Sequence, residues 1–107
     1  MLKKEIEQAK TLGLKLKAEL VGKKLEGKLS SLNYKLINSL RTNNSDRFLD
    51  TILDIHMYLN REVPEEILKV KFSDENFKDF GYSYLLGLNL EIKKDDENSS
   101  ENNKEEN

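Results

Sequence analysis

The chain has 107 residues, the size of one small domain. Its 18 basic and 20 acidic residues give a formal net charge of −2, and 36% of the residues are hydrophobic, enough for one modest core. It has no cysteine, which excludes disulfides, thiolate catalysis and cysteine-based zinc sites. No apolar run approaches the roughly 18 residues of a membrane span, and no signal-peptide pattern follows Met1. We therefore expect a cytoplasmic protein with no membrane partner.

Apolar side chains recur every three or four residues along 2–20, the spacing typical of an amphipathic helix. Strict alternation of apolar residues over 12–20 also fits a strand. This stretch is rich in Lys, Leu, Glu and Ala and nearly free of β-branched residues, which favours the helix. Gly22 and Gly27 bracket residues 23–26 and predict a kink or turn there, and a second helical stripe starts within it at Leu25.

Capping residues predict where the remaining helices begin. A turn at 42–45 precedes a third helix, with Asn44 or Ser45 as its N-cap. The only proline, Pro64, is expected at the first position of a short fourth helix, and Ser73 is expected to cap a fifth. We predict an all-α fold, a compact bundle of about five helices.

The C-terminal segment differs from the rest in composition. Residues 91–107 contain one apolar residue, Ile92, and seven acidic against three basic residues. Such a segment cannot bury enough apolar surface to offset its ordering entropy. We predict a helical bundle domain at 1–90 and a disordered acidic tail at 91–107.

Charge is distributed unevenly along the chain. Residues 1–47 have a net charge of +6, whereas 48–90 and the tail each have −4. Four lysines spaced by seven, which we call the lysine row, would lie along one edge of the first helix: Lys3, Lys10, Lys17 and Lys24. Lys28 and Lys35 extend the basic character into the second helix. The row fits either a solvated helix face or a surface that follows a phosphate backbone.

Composition limits what a basic surface of this kind could recognise. Only three of the 18 bases are arginine, and the basic part contains one aromatic residue, Tyr34. Bidentate recognition of guanine and base stacking are therefore not expected to be the main devices. Sequence-independent phosphate contact remains. The candidate nucleic-acid-binding residues are Lys10, Lys17, Lys23, Lys24, Lys28, Arg41 and Arg47.

Other residue patterns favour structural interpretations. His56, the only histidine, is expected in the core or an interface rather than as a metal ligand or catalytic base. Carboxylates at 46, 50 and 54 share one helix face, and we favour a solvated or partner-facing stripe over a magnesium site. The aromatic residues around the fifth helix are expected mainly in the core, with the rest in an assembly surface: Phe72, Phe77, Phe80, Tyr82 and Tyr84. No familiar catalytic motif occurs, so we expect no enzyme, cofactor or metal.

Three segments together resemble a known family. Residues 36–50 (LINSLRTNNSDRFLD), 63–66 (VPEE) and 80–88 (FGYSYLLGL) resemble the C-terminal helical region of the CRISPR type I-B large subunit. In that family the region is also produced separately, from an internal start, as the small subunit of the Cascade effector complex. A chain that begins with Met1 directly before the first helix looks like that separately made subunit. The resemblance covers roughly residues 20–90.

The resemblance implies a non-catalytic small subunit of an RNA-guided surveillance complex for antiviral defence. Its partners would be the Cascade backbone and large subunits, other copies of itself, and the guide RNA–target DNA heteroduplex or the displaced non-target strand. Phosphate contact fits this role because base pairing reads the sequence. The alternative is a helical protein–protein adaptor whose lysines only solubilise it. A small DNA-binding regulator is disfavoured because no recognition helix rich in Arg, Asn or Gln stands out.

Overall fold

The computed structural model describes residues 3–69 and 74–91, apart from the side chains of 74 and 75. The helices are α1 (Lys3–Gly22), α2 (Leu29–Arg41), α3 (Ser45–Tyr58), α4 (Glu65–Leu68) and α5 (Asp74–Leu88), with a 3₁₀ turn at Glu26–Lys28. The predicted all-α class and five helices are confirmed, and α1 is a helix rather than a strand. No helix in these ranges is both long and apolar enough to cross a membrane. The predicted disordered tail, apart from its first residue, lies outside the described residues, as does the Ser73 cap.

α5 lies between α1 and α2. Lys17, in the second half of α1, reaches the Leu90 carbonyl just past the end of α5, so these two helices run in the same direction. Asn33, near the start of α2, exchanges hydrogen bonds of 2.7 and 2.9 Å with Asn89, so α2 runs antiparallel to α5. α3 packs against α2.

Two glycines allow α1 and α5 to pack backbone against backbone. A β-carbon at Gly13 would lie 2.8 Å from the Leu88 nitrogen and closer still to the Tyr84 carbonyl oxygen. One at Gly87 would lie 2.8 Å from the Lys10 carbonyl carbon. Any larger side chain at either position would therefore force the helices apart.

A single hydrophobic core draws on all five helices. At its centre, the Phe48 ring meets Phe77 edge-on at 5.4 Å and Tyr84 at 6.0 Å, and Phe80 stacks on Tyr84 at 6.1 Å. The predicted core positions of Phe77, Phe80 and Tyr84 are confirmed. Tyr82 is 54% exposed, so it belongs to the surface and not to the core. It lies on the face of α5 that meets neither α1 nor α2. Phe72 lies outside the described residues.

The Tyr84 hydroxyl is buried without a hydrogen-bond partner among the described residues. Its aromatic neighbours offer the oxygen nothing to bond, and burial raises the pKa of Tyr84 far above its ordinary value. The phenol therefore stays protonated in the folded protein, and its hydroxyl subtracts from stability.

The predicted helix starts are confirmed for α3 and off by one residue for α4. The Asn44 side chain caps α3 by accepting a hydrogen bond of 3.0 Å from the Arg47 backbone N–H. Pro64 was expected at the first helical position, but it is the N-cap, with extended backbone angles of φ −54° and ψ 136°. The helix therefore begins one residue later, at Glu65.

Candidate nucleic-acid interface

Two members of the lysine row lie beside α5. Lys10 and Lys17 are both half-buried, and the Lys10 carbonyl is part of the close contact with Gly87. The Lys17 ammonium donates a hydrogen bond of 3.1 Å to the Leu90 carbonyl. A cation at this position also complements the negative C-terminal end of the α5 dipole. Lys17 therefore helps to hold α5, and the row is not a continuous line of free ammonium groups.

Lys23 and Lys24 form the turn after α1, and both are exposed. The helix ends with the two hydrogen bonds of a Schellman motif: Lys24 N–H donates to the Val21 carbonyl at 3.0 Å, and Leu25 N–H to the Leu20 carbonyl at 2.8 Å. This motif requires a left-handed residue, and Lys24 supplies it with φ of 58°. The main chain therefore leaves the line of the α1 helix at Lys24.

Lys24 is an unusual residue for this position. The corresponding left-handed positions after α2 and α3 are Asn43 (φ 53°) and Asn60 (φ 57°), and asparagine tolerates this conformation well. For a lysine the same conformation costs about 1–2 kcal/mol. Backbone strain in a surface turn is typical of positions that are kept for a function other than stability.

Lys28 lies on the same side of the molecule, at the end of the 3₁₀ turn. This turn means that α2 begins at Leu29 and not at Leu25, where the apolar stripe starts. The Lys28 ammonium lies over the exposed Tyr58 ring, 4.6 Å from its centroid. The structure thus brings Lys23, Lys24 and Lys28 together in one connection, between α1 and α2.

A groove of about 420 Å³ separates α2 from α3 next to this connection. It is lined by Gly27, Lys28, Ser31, Leu32, Lys35, Thr51, Asp54, Ile55 and Tyr58. Lys35 is one of the lysines noted in the second helix but was not among the candidate contacts. Tyr58 was missed altogether: it lies 30 positions beyond Lys28, in the acidic part of the sequence, and no local pattern links the two residues.

The two candidate arginines lie at the opposite end of α2. Arg41 is its last residue, Arg47 is in the first turn of α3, and both are exposed. A helix of 13 residues spans about 20 Å, so these guanidinium groups form a second basic point separated from Lys28 by about that distance. The structure therefore divides the seven candidates among three places rather than one surface.

His56 and the carboxylate stripe take the structural roles expected for them. His56 is buried, and its Nδ1 lies 2.8 Å from the Ile52 carbonyl, which it satisfies as a donor, so the prediction of a core histidine is confirmed. Asp46, Asp50 and Asp54 are all exposed. Within the described ranges no three potential metal-ligating side chains of His, Cys, Asp or Glu come together.

Comparison with known proteins found no matching family, no matching curated protein and no matching solved structure. Two of the three segments that carry the resemblance, 36–50 and 80–88, pack against each other in the structure: Gly81 is in contact with the Leu40 side chain, and Phe48 with Tyr84. From the third segment, Val63 is partly buried against the same core.

Proposed function

We propose that this chain is the non-catalytic small subunit of a type I-B CRISPR RNA-guided surveillance (Cascade) complex, acting in the cytoplasm. It stabilises the guide RNA–target DNA heteroduplex and the displaced strand by contacts with phosphates, while base pairing with the guide supplies the sequence specificity. The observation that supports this most directly is the exposed lysine cluster of the α1–α2 connection. In the described part of the chain, Lys23, Lys24 and Lys28 form no ion pair, although Glu26 lies among them.

The resemblance of residues 36–50, 63–66 and 80–88 to the type I-B large subunit supports the same assignment, as does the compact all-α fold. A cluster made of lysines suits the role, because an ammonium group neutralises a phosphate without the bidentate geometry that reads a base.

The faces of α3 and α5 that point away from the core suit contacts with protein neighbours. Asp46 and Asp50 of α3 are exposed. Tyr82 and Leu86, one turn apart on α5, are 54% and 55% exposed. A surface that combines an aromatic ring and a leucine is typical of protein contacts. We assign it to the backbone and large subunits and to further copies of this chain.

Copurification tests the proposal. The tagged full chain, co-expressed with a type I-B guide RNA and the backbone and large subunits, is expected to purify with all of them in one complex. The triple variant Lys23→Gln, Lys24→Gln, Lys28→Gln is the matched control, and it should still assemble because its changes lie outside the protein contacts. A chain that purifies without RNA and without these subunits, with other proteins instead, is the helical adaptor and would refute the proposal.

A further inference from the structure

We infer that the groove between α2 and α3 binds one unstacked nucleotide of a single nucleic-acid strand, with its base on the Tyr58 ring and its phosphates on Lys28 and Lys35. The inference rests on the proposed function and sharpens it. It assigns to this groove the displaced single strand rather than the heteroduplex. Its volume of about 420 Å³ falls in the range of pockets that hold small ligands.

Tyr58 supplies the stacking surface. It is the last residue of α3, it is 58% exposed, and it lines the groove. The Lys28 ammonium now covers the ring at 4.6 Å. A cation–π contact at an exposed site is weaker than the stacking of a base on an aromatic side chain, so an incoming base can replace the ammonium. Lys28 is then free to bind the phosphate of the same nucleotide.

The α2 wall of the groove supplies donors for phosphates. Lys28 and Lys35 are seven residues apart, about 10 Å along the helix, and Ser31 lies between them on the same face. Both ammonium groups are exposed, and neither forms an ion pair within the described residues. Two cations and a hydroxyl along one wall can follow the backbone of a strand that crosses the groove.

The α3 wall supplies an acceptor for the base. Asp54 lines the groove one helical turn before Tyr58, and its carboxylate would repel a phosphate at that wall. It can, however, accept a hydrogen bond from the exocyclic amino group of a base, as carboxylates do from cytosine. The groove therefore orients the nucleotide, phosphate toward α2 and base toward α3, and prefers cytosine over thymine, which has no amino group.

A heteroduplex does not fit this arrangement. Within a duplex the faces of each base are stacked and its hydrogen-bonding edge is paired, so neither can reach a tyrosine in a groove between two helices. Only an unpaired nucleotide can offer its face to Tyr58 and its amino group to Asp54.

Fluorescence anisotropy of the full chain with labelled octamers tests the inference. We expect oligo-deoxycytidine to bind more tightly than oligo-thymidine and than an RNA–DNA duplex of equal length. Tyr58→Leu is expected to weaken oligo-deoxycytidine binding by at least about fivefold, and Tyr58→Phe should keep it. Tyr34→Leu is the matched control, because Tyr34 is 73% exposed on α2 outside the groove. Asp54→Ala should remove the preference for cytosine.

Equal losses in Tyr58→Leu and Tyr34→Leu, or duplex binding as tight as single-strand binding, would overturn the inference. Since Tyr58 is a surface residue, thermal unfolding should show its variants folded as the parent chain is. The two proposals fail separately. If the chain copurifies with guide RNA and Cascade subunits but Tyr58→Leu does not change its binding of oligo-deoxycytidine, the groove inference fails and the proposed function stands. If the chain binds oligo-deoxycytidine through Tyr58 but does not copurify, the groove inference stands and the proposed function fails.

Discussion

Lys24 adopts a left-handed backbone conformation. Replacing it with glycine should therefore change stability and DNA binding in opposite directions. We predict that Lys24→Gly raises the free energy of unfolding by about 1 kcal/mol, since glycine has no β-carbon to strain this conformation. In the assembled complex the same change should weaken target DNA binding. Urea denaturation measures the first effect.

Lys23→Gly is the matched control for this prediction. It removes the same charge one residue earlier, from a position without a left-handed φ, and should cost about 0.5–1 kcal/mol of stability. If the two glycine variants are equally stable, Lys24 is not strained, and its backbone carries no sign of a functional constraint.

Tyr84 carries a buried hydroxyl whose removal is expected to do no harm. Tyr84→Phe keeps the ring between Phe48 and Phe80 and deletes an oxygen without a partner among the described residues. We predict a free energy of unfolding equal to that of the parent or up to about 1 kcal/mol higher, measured in urea. A loss of more than about 1 kcal/mol would show that the hydroxyl is hydrogen-bonded.

The pH dependence of stability offers a second test of Tyr84. Burial holds the pKa of Tyr84 above its ordinary value of about 10, so above that pH the unfolded chain releases the proton while the folded chain keeps it. Keeping the Tyr84 phenol protonated therefore costs the folded protein no stability below about pH 10, and the free energy of unfolding falls as the pH rises further. Stability of the parent chain should fall more steeply above pH 10 than that of Tyr84→Phe. Parallel curves would contradict the buried, protonated phenol.

At the scale of the elements, the contact between α1 and α5 depends on Gly13 and Gly87. We predict that Gly13→Ala and Gly87→Ala each lower the free energy of unfolding by about 2–3 kcal/mol. The added methyl group would meet backbone atoms of the facing helix, which can give way only if the whole helix shifts. Gly22→Ala is the control: nothing lies within 4 Å of its β-carbon position, and the change should stabilise the helix by about 0.5–1 kcal/mol. Thermal unfolding compares the three, and similar melting temperatures would contradict close packing of these helices.

The elements were predictable wherever the determining signal is local. Apolar spacing predicts the long helices, and the capping side chains at 44 and 45 predict the start of α3, where the structure selects Asn44. The start of α4 was misplaced by one residue, because proline is acceptable both at the N-cap and at the first helical position, and sequence does not distinguish them. Among the aromatic residues described around α5, Tyr82 is exposed because it lies outside the helical spacing of the buried positions.

The candidate site was less predictable, because its decisive contacts join distant residues. Lys17 donates a hydrogen bond to the carbonyl of Leu90, 73 positions away. A member of the lysine row therefore stabilises the packing of α5. Tyr58 meets Lys28 only because α3 folds back along α2. Sequence spacing places residues on one helix face, but it does not say which face a later helix will cover.

At the scale of the whole molecule, the net charge of −2 conceals two regions of opposite sign. The first 47 residues carry +6, and the fold presents exposed bases from them at both ends of α2. When several exposed, unpaired lysines bind a polyanion, they displace the counterions condensed on it. The affinity of such binding therefore falls steeply as the salt concentration rises. The salt dependence therefore reports how many of these charges touch phosphates.

The salt dependence of target DNA binding by the assembled complex tests most directly whether the lysine cluster at 23–28 contacts phosphates. Lys23→Gln, Lys24→Gln, Lys28→Gln is compared with Lys3→Gln, Lys4→Gln, Lys15→Gln, which removes the same charge from exposed positions on α1. The slope of log affinity against log salt is negative. We predict that the first triple variant makes it shallower by about three, one for each contact, and that the second leaves it unchanged. Equal slopes in both variants and the parent would contradict the account.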